Sequence, residues 1–366
     1  MKISKTKWVR RDIITKIQAN YIILLGSRST GKSFAVKEDL IKRCLENNEQ
    51  FAYIRRYKED CKQYMIHEYF SDIICDSKGV HHLEKWSKGE YNDIVVDKQS
   101  IYLAHTDEDG TVIKGQKLGR MFGLSWATHY KSLSFPDITT AVYEEFCTDG
   151  AYLSDNEPTL FMGLISTIFR DKSARVYMVG NTVSRINPYF DSFQLYNIPK
   201  QKLGTIDTYK QPFTDENGNT EEVKIAVYMT HSTAFNSGMF FGNAAKHIIG
   251  GNWESTEQPH LIGRKSDYKT LYSLVFVYNK TMFLCEFLQD LKNTNNFLWF
   301  VSPKNTPLQK NTRIVSNKYI NTHLASIGFE PITPKEAKIF NYIDNKKICF
   351  SDNLTGTEFF QCYNAL

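Results

Sequence analysis

Cysteine is sparse in this sequence, and its pattern excludes two kinds of stabilised fold. The 366 residues include seven cysteines, an odd number, and none of them forms a C-x-x-C pair. They are Cys44, Cys61, Cys75, Cys147, Cys285, Cys349 and Cys362. Scattered single cysteines argue against a disulfide framework and against a cysteine-rich zinc site. They favour free thiols in a reducing compartment.

Long apolar runs, internal repeats and low-complexity segments are also missing. No window approaches the roughly 18 uninterrupted apolar residues that a membrane-spanning helix needs. Residues 1–20 are basic but contain no apolar core of the kind that a signal peptide carries. We therefore expect no membrane association and no secretory leader.

Positive charge is unevenly distributed along the chain. The net charge is +5 overall; residues 1–20 and 261–366 each carry +5, and residues 21–260 carry −5. The two ends are therefore the better candidates for contact with a polyanion, and the middle is the better place for a nucleotide site. Lysines on solvated faces explain the same distribution equally well.

The most informative stretch is residues 21–33. An apolar run at 21–25 predicts a buried strand, and a helix is predicted from the end of the stretch to about Glu46. Between them lies G-x-x-x-x-G-K-S, the phosphate-binding loop motif, in which the lysine reaches the β- and γ-phosphates of ATP and the serine ligates Mg²⁺. Its residues are Gly26, Ser27, Arg28, Ser29, Thr30, Gly31, Lys32 and Ser33. An ordinary glycine turn is the alternative, and the strand and helix on either side argue against it.

Later segments alternate between strand and helix patterns. Strands are predicted at 51–57, 138–143 and 174–181, and helices at 32–46, 58–74 and 160–170. This order predicts an α/β fold with a parallel sheet and crossover helices. Residues 91–126 are predicted to form a β-rich insertion with a hairpin turn at 107–110.

Acidic residues follow one of these strands at the place where a nucleotide site needs them. Ligands of α/β sheets bind at the carboxyl ends of the strands, where Glu144 and Glu145 are predicted to lie. Glu144 would hold Mg²⁺, directly or through water, and Glu145 would deprotonate the attacking water. Asn181 ends the next strand and would sense the γ-phosphate. The alternatives are an acidic strand end that caps a helix and a turn asparagine.

Two groups of basic residues have open roles. Arg170 follows a predicted helix, where it is either an arginine finger for a neighbouring subunit or a surface residue favoured by the helix dipole. Arg55, Arg56 and Lys58 pose the same choice, and for them a solvated strand end is the simpler interpretation.

Five segments, taken together, resemble one family. They are LGSRSTGKS at 25–33, EQFAYIRRYK at 49–58, TTAVYEEF at 139–146, TIFRDK at 167–172 and GNTVSRINPYF at 180–190. In this order they resemble the DNA-packaging (encapsidation) ATPases of small phi29-like tailed phages, which are terminase-type motors. The resemblance covers about residues 20–190 well, and the C-terminal third only loosely.

The resemblance implies an ATPase of the ASCE type within the phosphate-loop (P-loop) fold. It implies a homopentameric ring in the host cytoplasm, transiently at the portal vertex of a procapsid, which drives double-stranded DNA inward with ATP and Mg²⁺. Whether a structural RNA joins motor and portal is left open.

Several residues take roles from the resemblance. Lys32 and Glu145 match the phosphate-loop lysine and the catalytic glutamate, and Arg170 matches the arginine finger that acts in trans. Lys58 matches an interface lysine, and Arg55 is assigned to the interface with it. DNA contact falls to lysines elsewhere, such as Lys131. Because the family usually has Asp-Glu where this chain has Glu-Glu, the longer Glu144 would shift the metal or interpose a water.

The resemblance also suggests a domain division. We expect an ATPase domain at 1–205, a linker or lid at 206–258, and an α+β domain at 259–366 that resembles a vestigial RNase H-like nuclease. A nuclease of that type needs about three carboxylates around two metals. The candidates Glu286, Asp290 and Asp352 are sparse, so no DNA cleavage is expected.

Three alternative functions follow from the same residues. The first is a terminase that both cuts and pumps DNA. The second is a structural component of the capsid vertex that binds nucleotide without turning it over. The third is a small-molecule kinase, against which the paired glutamates argue.

Overall fold

The chain, in a computed structural model, divides into two compact units, Met1–Asn252 and Trp253–Leu366. The structure describes residues 8–148, 152–153, 157–170, 172–184, 187–214, 220–231, 257–278, 281–308, 313–316 and 347–363. Each unit is built on its own sheet.

The first unit contains nine strands and six α-helices among its described residues. The strands are β1 (Tyr21–Gly26), β2 (Gln50–Arg55), β3 (Asp93–Asp97), β4 (Ser100–Thr106), β5 (Val112–Gly123), β6 (Ile138–Glu144), β7 (Arg175–Asn181), β8 (Thr205–Thr214) and β9 (Thr220–Met229). The helices are α1 (Arg11–Ile14), α2 (Lys32–Asn47), α3 (Gln63–Ile74), α4 (His82–Trp86), α5 (Glu157–Phe169) and α6 (Pro188–Ser192). Short 3₁₀ helices span Lys58–Asp60, Leu124–Tyr130 and Ile198–Lys200.

These strands form one sheet in the order β3-β4-β5-β2-β6-β7-β1-β9-β8. The six central strands, from β5 to β9, pair in parallel, and both edges are antiparallel. The predicted parallel sheet is therefore confirmed at the centre of a mixed sheet. All six residues of β1 are buried, as the unbroken apolar run predicts for a strand covered on both faces.

Two expectations about the edges of this sheet were wrong. The segment predicted as an insertion, 91–126, continues the sheet, because β5 pairs in parallel with β2. Its hairpin turn is confirmed: the Gly110 N–H donates to the Asp107 carbonyl at 3.0 Å. The predicted linker or lid at 206–258 is wrong at its start, because β8 and β9 are strands of the sheet and β9 pairs with β1. Its residues 232–256 lie outside the described ranges.

The second unit has a five-stranded sheet and one described α-helix. Its elements are β10 (Tyr268–Tyr278), β11 (Thr281–Asp290), β12 (Phe297–Pro303), β13 (Ile314–Ser316), β14 (Ile348–Phe350) and α7 (Asn353–Tyr363). The strand order is β13-β10-β11-β12-β14, antiparallel in the middle and parallel at both edges. The hairpin predicted at Asn279-Lys280 joins β10 to β11, although the two turn residues lie outside the described ranges. None of the helices in the described parts of the chain is long and apolar enough to span a bilayer.

Candidate active site

The loop between β1 and α2 has a backbone that favours glycine at two points. Gly26 has φ of 150°, and a Cβ atom there would collide with the Thr230 hydroxyl at the end of β9. Gly31, which caps the start of α2, has φ of 82° in the left-handed region. The loop therefore curls around the N-terminus of a 16-residue helix, where backbone N–H groups and the helix dipole favour an anion.

A cavity of about 300 Å³ lies over this loop. It is lined by residues 28–33 of the loop and, from neighbouring strands, by Glu144, Glu145 and Asn181. The structure therefore brings the predicted loop, acids and asparagine to one place. A larger depression of about 560 Å³ lies beside Arg175 and Lys224, at the amino ends of the central strands. We assign the active site to the smaller cavity because the phosphate-loop motif lies there.

Lys32 is the buried cation of the cavity, with 6% of its surface exposed. Its Nζ donates to the carbonyl oxygens of Ser27 at 2.6 Å and Gly26 at 3.1 Å, and to Asn181 Oδ1 at 3.3 Å. Burial lowers the pKa of Lys32 to about 8. A phosphate beside Nζ would stabilise the protonated form, so ligand binding and protonation of Lys32 are coupled.

Glu144 is buried at the end of β6 and faces the first turn of α2. Its carboxylate accepts hydrogen bonds from the Ser33 hydroxyl at 3.2 Å and from the Tyr69 hydroxyl at 2.8 Å. Burial raises the pKa of this carboxyl group, and the two donors oppose that shift.

The oxygens of Ser33 and Glu144 fit a magnesium site. Hard cations take carboxylate and hydroxyl oxygens, and Mg²⁺ usually keeps several waters and shares its coordination with substrate phosphates. Across the described residues, no group of three or more His, Cys, Asp or Glu side chains is arranged to hold a metal. Ser33 and Glu144 supply two such oxygens, and this donor set fits Mg²⁺ bound together with a nucleotide.

Glu145 follows β6 with its backbone in the left-handed region, at φ of 57°. Its side chain is 65% exposed at the rim of the cavity, and its carboxylate accepts from Arg55 Nη2 at 2.8 Å. The solvated strand end expected for Arg55 is therefore wrong, because Arg55 pairs with an acid of its own chain. Glu144 and Glu145 are thus held differently, the first by neutral donors inside the cavity and the second by a cation at its rim.

Three other predicted residues lie away from the cavity lining. Arg170 follows α5, the crossover helix that runs back toward the amino ends of the strands. At a rise of 1.5 Å per residue, the 13 residues of α5 span about 20 Å. The Arg170 guanidinium donates to the Leu133 carbonyl at 2.9 Å. Lys58 Nζ lies 2.8 Å from the centre of the Trp126 ring. Lys131 is exposed at the end of the 3₁₀ helix Leu124–Tyr130.

The three acids proposed as nuclease ligands have separate roles within the second unit. Glu286 is paired with Lys265. Asp290 accepts from the Lys292 N–H at 2.8 Å in the turn after β11. Asp352 accepts from the Thr355 N–H at 2.8 Å at the start of α7.

Sequence reasoning missed Tyr69, which bonds Glu144 of the site, and Glu157, which bonds Arg56, and it misjudged Arg56 itself. Tyr69 on α3 and Glu157 on α5 were not candidates, because a tyrosine and an acid in helical segments carry no signal of their partners. Arg56 was expected to be solvated, but it is 8% exposed and its Nε lies 3.0 Å from Glu157 Oε2. The only available signal was Pro158, which is typical of a helix start and puts Glu157 in the first turn.

The fold is similar to that of two phage packaging motors. The chain superposes on a chain of the bacteriophage Phi-29 viral genome packaging motor assembly with a TM-score of 0.54 and 19% identity, covering 98% of this chain and 99% of that one. It superposes on the Phi-28 gp11 DNA packaging motor with a TM-score of 0.50 and 14% identity, covering 98% of each. At these identities the likeness shows the fold alone.

Sequence comparison gives the family. The chain is 32% identical over 212 residues to the DNA packaging protein of Bacillus phage B103, covering 55% of this chain and 58% of that protein. It is 29% identical over 191 residues to that of Bacillus phage phi29, covering 51% and 50%. The match thus spans about half the length of these curated relatives. The sequence model of the family described as Podovirus DNA encapsidation protein (Gp16) matches residues 10–327, which include every residue of the cavity. With the phosphate loop, the paired glutamates and the sheet all inside that match, the chain belongs to the Podovirus DNA encapsidation protein (Gp16) family.

Proposed function

We propose that this chain is an ATP-hydrolysing ring motor that translocates double-stranded viral DNA into a preformed procapsid through its portal. The observation that carries the proposal is the cavity in which a phosphate loop, Glu144 and Glu145 meet. Family membership supports the packaging role, and the names of the relatives describe DNA packaging proteins.

The residues of the cavity divide the work of hydrolysis. Backbone N–H groups of the loop and Lys32 hold the phosphates, and Ser33 with Glu144 would hold Mg²⁺. Magnesium, when bound, neutralises charge that develops on the phosphoryl oxygens. Glu145 orients the attacking water and takes its proton, as the general base of the reaction.

Glu145 is not free to act as a base while Arg55 holds it. The Arg55 guanidinium, 2.8 Å away, occupies the carboxylate, which is therefore not available to a water at the nucleotide. We infer that hydrolysis requires Arg55 to release Glu145 toward the nucleotide. Contact with DNA or with a neighbouring subunit is the event that we expect to drive the exchange.

A ring explains the position of Arg170. The length of α5 separates this residue from the carboxyl edge of the sheet, where its own cavity lies. We assign it to the neighbour's site, where an arginine stabilises the transferring phosphoryl group and raises the rate by about 10³–10⁵. Lys58 is assigned to the same interface and Lys131 to DNA contact. With the family resemblance as support, we propose a homopentamer at the portal vertex in the host cytoplasm.

We propose that the second unit does not cleave DNA. In the structure, Glu286, Asp290 and Asp352 each have a separate bonding partner. Incubation of plasmid with the protein and Mg²⁺ or Mn²⁺ tests this. Metal-dependent nicking that Asp352→Ala abolishes would instead establish a cutting terminase.

The motor proposal is tested by measuring ATP turnover against protein concentration, with and without double-stranded DNA. We expect turnover per chain to rise with concentration and to rise further with DNA, because assembly completes the site. Tight ATP binding with no turnover under any of these conditions would favour the structural component of the capsid vertex. Turnover independent of both variables would contradict a ring motor.

A further inference from the structure

Two adjacent arginines at the end of β2 hold Glu145 in different ways. Arg55 pairs with its carboxylate, as described above. Arg56 instead reaches the backbone: its Nη1 donates to the Glu145 carbonyl at 3.2 Å, and its Nη2 donates to the Phe146 carbonyl at 2.8 Å. Arg56 therefore fixes the peptide that carries Glu145 and leaves the carboxylate free to move.

Arg56 is itself fixed by a buried carboxylate. Glu157 has no exposed surface, and its two oxygens lie 3.2 and 3.0 Å from Arg56 Nε. The Glu157 carboxylate also accepts hydrogen bonds from the hydroxyls of Tyr143 at 2.9 Å and Tyr189 at 2.8 Å, and from the Leu153 N–H at 2.8 Å. A fully bonded buried ion pair is weak evidence for stability, because replacing it with apolar residues is often neutral. Its geometry is more informative, since it joins the ends of β2 and β6 to the start of α5.

The backbone of Glu145 needs such support. A left-handed conformation is unfavourable for any residue with a Cβ atom and persists where the surroundings enforce it. Arg56 bonds the carbonyls of Glu145 and Phe146, and the Phe146 N–H donates to the Val179 carbonyl of β7 at 3.4 Å. The turn is thus fastened to the strands on both sides of β6. Left without Arg56, the peptide would relax toward a right-handed or extended form and carry the Glu145 side chain away from the cavity rim.

We propose that Arg56 and Glu157 form a positioning pair that sets the backbone of the catalytic Glu145, and this inference rests on the proposed function. Neither side chain belongs to the cavity lining, which among the described residues is formed by the loop, Glu144, Glu145, Asn181 and their neighbours. Both act through Glu145 and touch no reacting atom. Their loss should therefore lower the rate of the chemical step and leave nucleotide binding intact.

The test compares Arg56→Lys and Glu157→Gln with the unmodified chain. Arg56→Lys removes the guanidinium that bonds two backbone carbonyls, and Glu157→Gln removes the buried negative charge. Each substitution keeps the side chain at about its original size. With double-stranded DNA present, kcat for ATP hydrolysis should fall about 10²-fold, the loss expected when a catalytic group is displaced by about 1 Å. KM and the Kd of a non-hydrolysable ATP analogue should stay within about threefold, because no uniform binding contact is removed.

A milder variant and a matched control complete the design. Tyr189→Phe removes one hydrogen bond to Glu157 and keeps the ring, so it tests the proposal even if Glu157→Gln fails to fold; we expect kcat to fall about 3- to 10-fold. Arg175→Lys is the control, because Arg175 also donates to two backbone carbonyls, those of Ile14 and Ile17, but at the opposite edge of the sheet. Its kcat should be unchanged.

Unchanged kcat in the folded variants would overturn the inference, and so would a loss of analogue binding as large as the loss of kcat. Glu145→Gln, measured in parallel, separates this failure from that of the proposed function. If Glu145→Gln turns over ATP at the unmodified rate, the proposed function fails. If it is inactive while the Arg56 and Glu157 variants are fully active, the positioning pair alone is wrong.

Discussion

At the scale of single residues, the cavity places two ionisable groups in conflict with their burial. Lys32 is desolvated, and Glu144 is desolvated beside it, so each would lose its charge more readily than in water. Hydrogen bonds from Ser33 and Tyr69 oppose the loss of charge on Glu144. The phosphates of a bound nucleotide would oppose the loss of charge on Lys32.

The pH dependence of nucleotide binding should follow Lys32. Burial lowers its pKa to about 8, so the free protein loses this positive charge as pH rises through that value. ATP affinity should be full below pH 8 and should fall above it, with uptake of a proton on binding. Calorimetry at pH 7 and pH 9, in buffers of different ionisation enthalpy, measures both effects.

The control for this prediction is Lys32→Arg, since a guanidinium stays protonated throughout the range. Its affinity should be flat between pH 7 and pH 9. An equally flat profile in the unmodified chain would show that Lys32 does not titrate near pH 8.

Tyr69→Phe should weaken the magnesium site selectively. The hydroxyl donates to Glu144 at 2.8 Å, and its loss leaves a buried carboxylate with one fewer donor at a cost of about 1–3 kcal/mol. We expect the Mg²⁺ concentration for half-maximal ATP turnover to rise about 5- to 150-fold, the same energy expressed as an affinity. A magnesium titration of turnover measures it.

Tyr177→Phe is a matched control for that variant. Tyr177 is also buried, and its hydroxyl donates to a buried carboxylate, Asp39, at 2.7 Å. Asp39 lies outside the cavity lining, so this variant should lose stability without a change in the magnesium requirement. Equal shifts in both variants would mean that Tyr69 has no special relation to the metal.

At the scale of elements, the strand ends determine the site. β1 ends in the phosphate loop, β6 in the glutamates, β7 in Asn181 and β2 in the two arginines. Because these strands pair in parallel, all four carboxyl ends lie on the same side of the sheet. The sequence predicted three of these ends, because an unbroken apolar run followed by a polar residue is a local signal. The role of the fourth depended on contacts between distant segments.

The difference between local sequence patterns and contacts between distant segments also explains which strands the sequence did not predict. β1, β2, β6 and β7 are central strands whose apolar runs are visible without knowledge of their neighbours. In β9 only the second half is apolar and buried, and the polar, turn-rich segment before it favoured a linker. Burial of Ile225, Ala226 and Val227 arises from pairing with β1, which is more than 190 residues away in the chain.

Arg55→Gln tests the link between β2 and β6. Removing the cation frees Glu145 to face the nucleotide, so ATP turnover without DNA should rise and stimulation by DNA should shrink. Steady-state turnover with and without double-stranded DNA measures both. A fall in turnover would contradict the inhibitory role and would assign Arg55 to the site of a neighbouring subunit.

At the scale of the whole molecule, the chain has the fold of two packaging motors over 98% of its length, and its own Arg170 lies a helix length from the edge that holds its cavity. Under the motor proposal, a second copy of the chain completes the active site. The sequence left this arginine open between an arginine finger and a surface residue, because a helix-end arginine has no local pattern that marks an action in trans. The family resemblance then favoured the finger.

Mixtures of the unmodified chain with Arg170→Ala should show dominant inhibition. Each variant subunit would leave its neighbour's site without the arginine, so turnover should fall faster than the fraction of unmodified subunits. Turnover is measured across mixing ratios at constant total protein. A linear dependence on that fraction would show that Arg170 acts on no neighbour.

The account as a whole depends on hydrolysis at the phosphate loop with Glu145 as the base. The most direct measurement is a single-turnover assay of bound ATP in the unmodified chain and in Glu145→Gln, with ATP affinity determined for both. We predict equal affinity and a rate that is at least about 10²-fold lower in the variant, at the lower end of general-base contributions. Cleavage at the unmodified rate in Glu145→Gln would contradict the central claim.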